Sequence, residues 1–138
     1  MNNGKQLFLI DDDEDDQEIF SLAVKHANDS FECICTDDCA DAIEKFTADE
    51  TFKPLAIFID MNMPRINGLE CLRAVRKSEH HKHTPIYIYT TSADEKVRKQ
   101  SLELGATGLI KKPSSLTDLV SLISEVIIDP YRFGVKAK

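Results

Sequence analysis

No run of apolar residues in this 138-residue chain approaches the ~20 needed to span a bilayer. The opening Met1-Asn2-Asn3-Gly4-Lys5 leads into a short apolar segment and not into a secretory hydrophobic region. No membrane association is expected on that reading, and a cytoplasmic location is. An excess of positive charge is missing too: 17 lysines and arginines face 24 aspartates and glutamates, for a net charge of -7. The basic residues are scattered, so a phosphate backbone would be repelled and direct nucleic-acid binding is not expected. The four cysteines form no Cys-x-x-Cys pair, and without an export signal they read as reduced thiols. Cys33 and Cys35, two apart on an expected strand, share one face and should pack and not react. Neither Gly-x-x-x-x-Gly-Lys-[Ser/Thr] nor Gly-x-Gly-x-x-Gly occurs, which leaves a nucleotide cofactor without support. Gly/Ser-rich linkers, repeats and low-complexity tracts are also absent, so residues 1–138 read as one domain. Its core is expected at about 6–128, with 129–138 as a C-terminal extension too short to fold alone.

What is present alternates. Five short β-rich runs, at 7–10, 31–36, 55–59, 86–89 and 107–110, are separated by segments of helical periodicity. That alternation predicts an α/β protein in which βα units wind a five-stranded parallel sheet. The third and fourth runs are apolar throughout, as strands covered on both faces should be. The first helix places Ile19, Phe20, Ala23, Val24 and Ala27 on one stripe, and the last is the most apolar, with Leu116, Leu119, Val120, Ile123, Val126 and Ile127. The fourth, at 94–104, opens on a capping-box pattern at Ser92-Ala93-Asp94-Glu95 but offers only Val97, Leu102 and Leu104, so it should be the most loosely held.

Chemistry gathers where strands end. Asp11 and Asp12 follow the first strand, Asp60 the third, Thr90 the fourth and Lys112 the fifth. Ligands of open parallel α/β sheets bind outside those carboxyl ends. If the first and third strands are neighbours, Asp11, Asp12 and Asp60 converge, and three crowded carboxylates require a cation or shifted pKa values. An all-oxygen cluster suits Mg²⁺. For Asp13 through Asp16 a plainer account suffices, because acids at a helix start are favoured by its dipole. Asp60 has no such account: it ends the apolar run Leu55-Ala56-Ile57-Phe58-Ile59, where an uncompensated carboxylate is costly.

With these residues in hand, the sequence resembles the receiver domains of bacterial two-component response regulators, especially the single-domain chemotaxis type. The resemblance covers about residues 6–128 and rests on Leu9-Ile10-Asp11-Asp12, Asp60 through Gly68, Thr90-Thr91, Gly105-Ala106 and Lys112-Pro113. It implies a doubly wound, flavodoxin-like sheet of strand order 2-1-3-4-5. It also implies that Asp60 accepts a phosphoryl group from a partner histidine kinase or phosphotransfer protein. Asp12, Asp60 and the Asn62 backbone carbonyl would ligate Mg²⁺, with Asp11 assisting through water. Lys112, the Thr90 hydroxyl and the backbone amides of Asn62 and Thr91 would bind the phosphoryl oxygens. The family has a cis bond before the proline matching Pro113. The protein would then be a phosphorylation-switched interaction protein and not an enzyme, acting on a downstream protein target, with homodimerisation left open. Where many relatives carry an aromatic residue three positions before the lysine, this chain has Leu109, and Thr91 is bulkier than the usual neighbour.

Other signals are discounted. His80, His81 and His83 read as a solvated loop and not a metal site, and His26 as a partner for a helix C-terminus. Two rival functions fit less well: a magnesium-dependent phosphatase, disfavoured because no second acid lies two residues after Asp60, and an adaptor that is never phosphorylated, disfavoured by the intact residue set.

Overall fold

The computed structural model describes residues 5–92 and 94–134. Ala93 of the expected capping box and the last residues of the expected extension, 135–138, lie outside the described residues, as do 1–4. Five strands, β1 (Gln6–Ile10), β2 (Glu32–Thr36), β3 (Ala56–Asp60), β4 (Ile86–Thr90) and β5 (Gly108–Lys111), alternate with α1 (Glu14–Ala27), α2 (Cys39–Ala48), α3 (Gly68–Arg76), α4 (Glu95–Glu103) and α5 (Leu116–Ile128). All pairings are parallel and the order is β2-β1-β3-β4-β5, as expected for a doubly wound sheet. A single turn of 3₁₀ helix, Glu79–His81, lies between α3 and β4.

The period-2 alternation of side chains divides the core into two layers. Leu7, Leu9, Phe58, Tyr87, Tyr89 and Ile110 face α1 and α5, where Phe20, Val24, Leu119, Ile123 and Val126 cover them. Phe8, Ile10, Ile57, Ile59, Ile86, Ile88 and Leu109 face the other way, against Cys39, Phe46, Cys71, Leu72 and Val75 of α2 and α3. Every residue of β3 and β4 is buried. Both strands read as unbroken apolar runs because helices cover both faces. On α1 the expected stripe holds for Phe20, Ala23 and Val24, whereas Ile19 is exposed. Only Ser101 of α4 is buried, in keeping with its thin apolar stripe.

Four expectations need correction. Cys39 and Cys71 are joined by a disulfide, with Cα atoms 5.6 Å apart across α2 and α3. Spacing along the chain could not show it, because the packing of two helices on one sheet face brings together residues 32 apart in sequence. His81 is buried and not solvated, its ring 4.1 Å from that of Phe46. The cap of α4 is Asp94, whose carboxylate accepts from the Lys96 amide at 2.8 Å, while the Ser92 amide turns back to Thr90. None of the described peptide bonds is cis, so the bond before Pro113 is trans; the Lys112 amide is fixed on the Thr90 carbonyl at 2.7 Å.

The extension is not a free tail in its described part. The Tyr87 hydroxyl donates to the Pro130 carbonyl at 2.7 Å, Arg132 pairs with Glu125 at 2.9 Å, and the Tyr131 hydroxyl donates to the His83 carbonyl. Gly108 has no room for a side chain, since a Cβ there would lie 2.6 Å from the Phe133 carbonyl oxygen.

Candidate functional site

The site lies at the carboxyl end of the sheet, between β1 and β3, where α1 and α3 leave to opposite faces. Two local devices shape the β1 side. The Asp13 carboxylate caps α1 by accepting from the amides of Asp15 and Asp16 at 2.8 and 3.2 Å. The Asp13 amide in turn donates to Asp11 Oδ1 at 3.0 Å, which fixes the direction of that fully buried carboxylate. Gln17, which carried no signal in the sequence, ties the two neighbouring loops: its amide donates to the Asp11 carbonyl at 2.6 Å and to Asp37 at 2.8 Å.

On the β3 side Asp60 is the last strand residue, paired across from Tyr89. The following turn closes with the Gly68 amide on the Met61 carbonyl at 2.9 Å and includes Arg65 at φ 68°. Gly68 is required by close approach. A Cβ there would lie 2.5 Å from the Asp60 carbonyl oxygen and 2.7 Å from Met61 Cα, so any side chain would displace the aspartate.

These loops bring Asp11, Asp12 and Asp60 together, with one carboxylate oxygen of each within 4.8 Å of the others. Asp11 and Asp60 are buried and Asp12 is exposed. Burial pushes the Asp11 carboxyl up to about 6, against the opposing Asp13 amide and Lys112 charge, and Asp60 adds to the rise. Asp60 is raised for the same first reason, with Lys112 and the Asn62 amide working against it and Asp12 with it. Hard oxygen donors, crowded, anionic and open to solvent on one side, fit a small divalent cation that keeps some of its water.

Lys112 reaches in from the end of β5. Its ammonium lies 2.6 Å from Asp16, 3.2 Å from Asp11 and 3.3 Å from Asp60, and 5.3 Å from the centre of the Tyr89 ring. Burial opposes its charge, but the Asp16 hydrogen bond and the surrounding carboxylates prevail and raise its pKa. The contact with Asp16 was not expected, because the acidic run reads locally as a helix start. Thr90 is buried at the end of β4, its hydroxyl accepting from the Ser92 amide at 3.3 Å, and Thr91 is exposed beside it. Leu109 is buried on the α4 side of the sheet, packed in the layer that includes Ala106 and Val97.

The chain that carries this site is similar to known proteins in sequence and in fold. A family model described as the response regulator receiver domain matches residues 7–124. The phosphate regulon transcriptional regulatory protein PhoB of Pseudomonas aeruginosa is 29% identical over 124 residues, which cover 90% of this chain and 52% of PhoB. The chain thus spans about half the length of the curated relatives it matches. Among solved structures, chemotaxis protein CheY4 of Vibrio cholerae is 26% identical with a TM-score of 0.76, covering 88% of this chain and 97% of CheY4. The phosphorylated cyanobacterial phytochrome response regulator RcpA, 22% identical, shares the fold at a TM-score of 0.78, covering 91% and 95% of the two chains. With a family match over most of its length and the same topology beneath its acidic site, this chain belongs to the response-regulator receiver-domain family.

Proposed function

We propose that Asp60 is the phosphoryl acceptor of this receiver domain, that Mg²⁺ is its cofactor, and that the donor is a phosphohistidine of a sensor kinase or phosphotransfer protein. Receiver domains accept phosphoryl groups from such partners and bind Mg²⁺ at an acidic pocket. One observation carries the assignment to Asp60: its carboxylate ends a buried strand, stands within 4.8 Å of two further carboxylates, and has the Lys112 ammonium 3.3 Å away. In the transfer, an Asp60 oxygen forms a bond to phosphorus as the donor's phosphorus–nitrogen bond breaks, and the departing imidazole takes up a proton. The product is an acyl phosphate, which water later hydrolyses to restore the carboxylate and release phosphate.

Little covalent work falls to the protein in such a transfer, so positioning and charge neutralisation dominate. Asp12, Asp60 and the Asn62 backbone carbonyl are the residues to hold Mg²⁺, with Asp11 acting through water. When bound, the ion supplies charge neutralisation for the carboxylates and the arriving phosphoryl oxygens. Lys112 binds one phosphoryl oxygen as a point charge, the Thr90 hydroxyl a second, and the amides of Asn62 and Thr91 the third. Drawing Thr90 inward moves the start of α4, an element with one buried residue, and so alters the surface that α4 forms with β5 and α5 for a downstream partner. Leu109 has no ring to swing, so this coupling runs through Thr90 and the backbone.

The test is incubation with Mg²⁺ and phosphoramidate, followed by intact mass and peptide mapping. One phosphoryl group is expected, on Asp60, and none on Asp60→Asn, because an amide cannot form the acyl phosphate. Uptake by Asp60→Asn at the parent's rate would remove the assignment.

A further inference from the structure

Asp16 makes the shortest contact of Lys112, 2.6 Å against 3.2 Å to Asp11 and 3.3 Å to Asp60, although 96 residues of sequence separate the two partners. An ammonium has three N–H groups, and here three carboxylates surround them. The phosphoryl group that arrives on Asp60 needs this same ammonium, so one carboxylate must give it up. Asp11 and Asp60 belong to the cation cluster, and a divalent ion there compensates them for the loss of lysine. Asp16 lies outside that cluster and gains no such replacement. It therefore competes with the phosphoryl oxygens for Lys112 whether or not the cation is bound.

We propose that Asp16 is a positioning residue for phosphoryl transfer: it latches Lys112 toward α1 in the resting protein and so sets how readily the site accepts a phosphoryl group. The inference rests on the assignment of Asp60 as acceptor. A carboxylate is needed for the latch because the pair is partly shielded from water: the side chains are 13% exposed for Lys112 and 34% for Asp16. An amide at the same position keeps a hydrogen-bond acceptor but not the charge, so the lysine is released at little cost to the helix. The backbone amide of Asp16 continues to serve the Asp13 cap, which is independent of the side chain.

The experiment compares initial rates of phosphoryl uptake from phosphoramidate at saturating Mg²⁺. In this reaction the phosphorus–nitrogen bond breaks, the Asp60 oxygen–phosphorus bond forms and ammonia leaves with the proton. Asp16→Asn should take up phosphoryl faster, on the order of tenfold, the factor corresponding to one charge-assisted hydrogen bond removed from the resting state. Asp16→Glu, which keeps the charge, should stay close to the parent. In a Lys112→Gln background, Asp16→Asn should give no such acceleration, because there is no lysine to release. A general effect of removing one negative charge would instead appear in both backgrounds and would fade with added salt. Equal rates for the parent and Asp16→Asn, or equal acceleration with and without Lys112, overturn the latch while leaving Asp60 as acceptor. A parent protein that takes up no phosphoryl group on Asp60 overturns the functional assignment and the latch with it.

Discussion

His81 packs its ring 4.1 Å from Phe46 and brings Nδ1 to 3.4 Å from the Thr84 hydroxyl, in a shell that also holds Arg76. Burial first, then the positive charges of His80, Lys53 and Arg76, lowers its pKa from the usual 6.5 to about 4. Above 6.5 the imidazole is neutral in both the folded and the unfolded chain, and its contribution to stability is fully present. As pH falls from 6.5 toward 4, the unfolded chain takes up a proton that the folded chain refuses, and stability declines. The loss attributable to this one residue is up to about 3 kcal/mol. Asp11 works in the opposite sense: its folded pKa is raised to about 6, so it holds a proton the unfolded chain has lost, and acidification through that range favours folding. The clean measurement is therefore a difference. Denaturant unfolding of the parent and of His81→Gln should show a stability gap that narrows between pH 7 and pH 4, and a gap independent of pH would sink the account. The carboxylates, Thr90 and Lys112 were legible in the sequence because each follows a recognisable strand. His81 was not, because its burial depends on how a loop between α3 and β4 settles against α2.

At the scale of elements, the links between helices decide how firmly the site is held. The Cys39–Cys71 disulfide ties α2 to α3, the helix whose first residue, Gly68, packs on the Asp60 backbone. Closing a loop of 32 residues restrains the unfolded chain, and the corresponding stabilisation is about 3–4 kcal/mol. Denaturant unfolding should accordingly shift to lower midpoint when the protein is reduced. Alkylation in denaturant supplies the chemical check: the oxidised chain should carry adducts on Cys33 and Cys35 alone, and the reduced chain on all four cysteines. Adducts on four cysteines without a reductant would mean that the bridge does not form. Cys33 and Cys35, with sulfurs 3.5 Å apart on β2, share one face as their spacing requires, and Cys35 is lowered to about 7, mainly through its hydrogen bond with Cys33. Arg76, at the end of α3, joins further segments by donating to the carbonyls of His81, Thr84 and Gly105 at 2.7, 2.7 and 2.8 Å. By contrast α4 holds one buried residue against three or four in each other helix, which makes it the most lightly anchored of the five.

For the whole molecule, cation binding at the proposed site would be linked to folding, because Asp11 and Asp12 follow β1 while Asp60 ends β3, and they meet only in the assembled sheet. Mg²⁺ should raise the melting temperature, and at a hundredfold excess over its dissociation constant the stabilisation is about 2.7 kcal/mol. Asp12→Ala removes the exposed member of the cluster without leaving a cavity, so its melting temperature should respond much less. A parent protein whose melting temperature is indifferent to Mg²⁺ would refute the cation site. The net charge of -7 adds to this response, since a bound divalent ion reduces repulsion at the most acidic end of the sheet.

The sequence by itself determined the βα alternation, the two fully covered central strands, and the strand-end positions of Asp11, Asp12, Asp60, Thr90 and Lys112. Each of these is written in local periodicity, and a parallel sheet places all strand ends on one rim. Resemblance to receiver domains supplied the strand order and the roles. Only the tertiary structure decided that Asp16 would reach Lys112, that Cys39 would meet Cys71, that His81 would be buried, and that the segment from Pro130 to Phe133 would close over β4 and β5. In each case the partners are far apart in sequence and share no periodic pattern, so their contact follows from how helices and loops dock on the sheet and from nothing local to either residue.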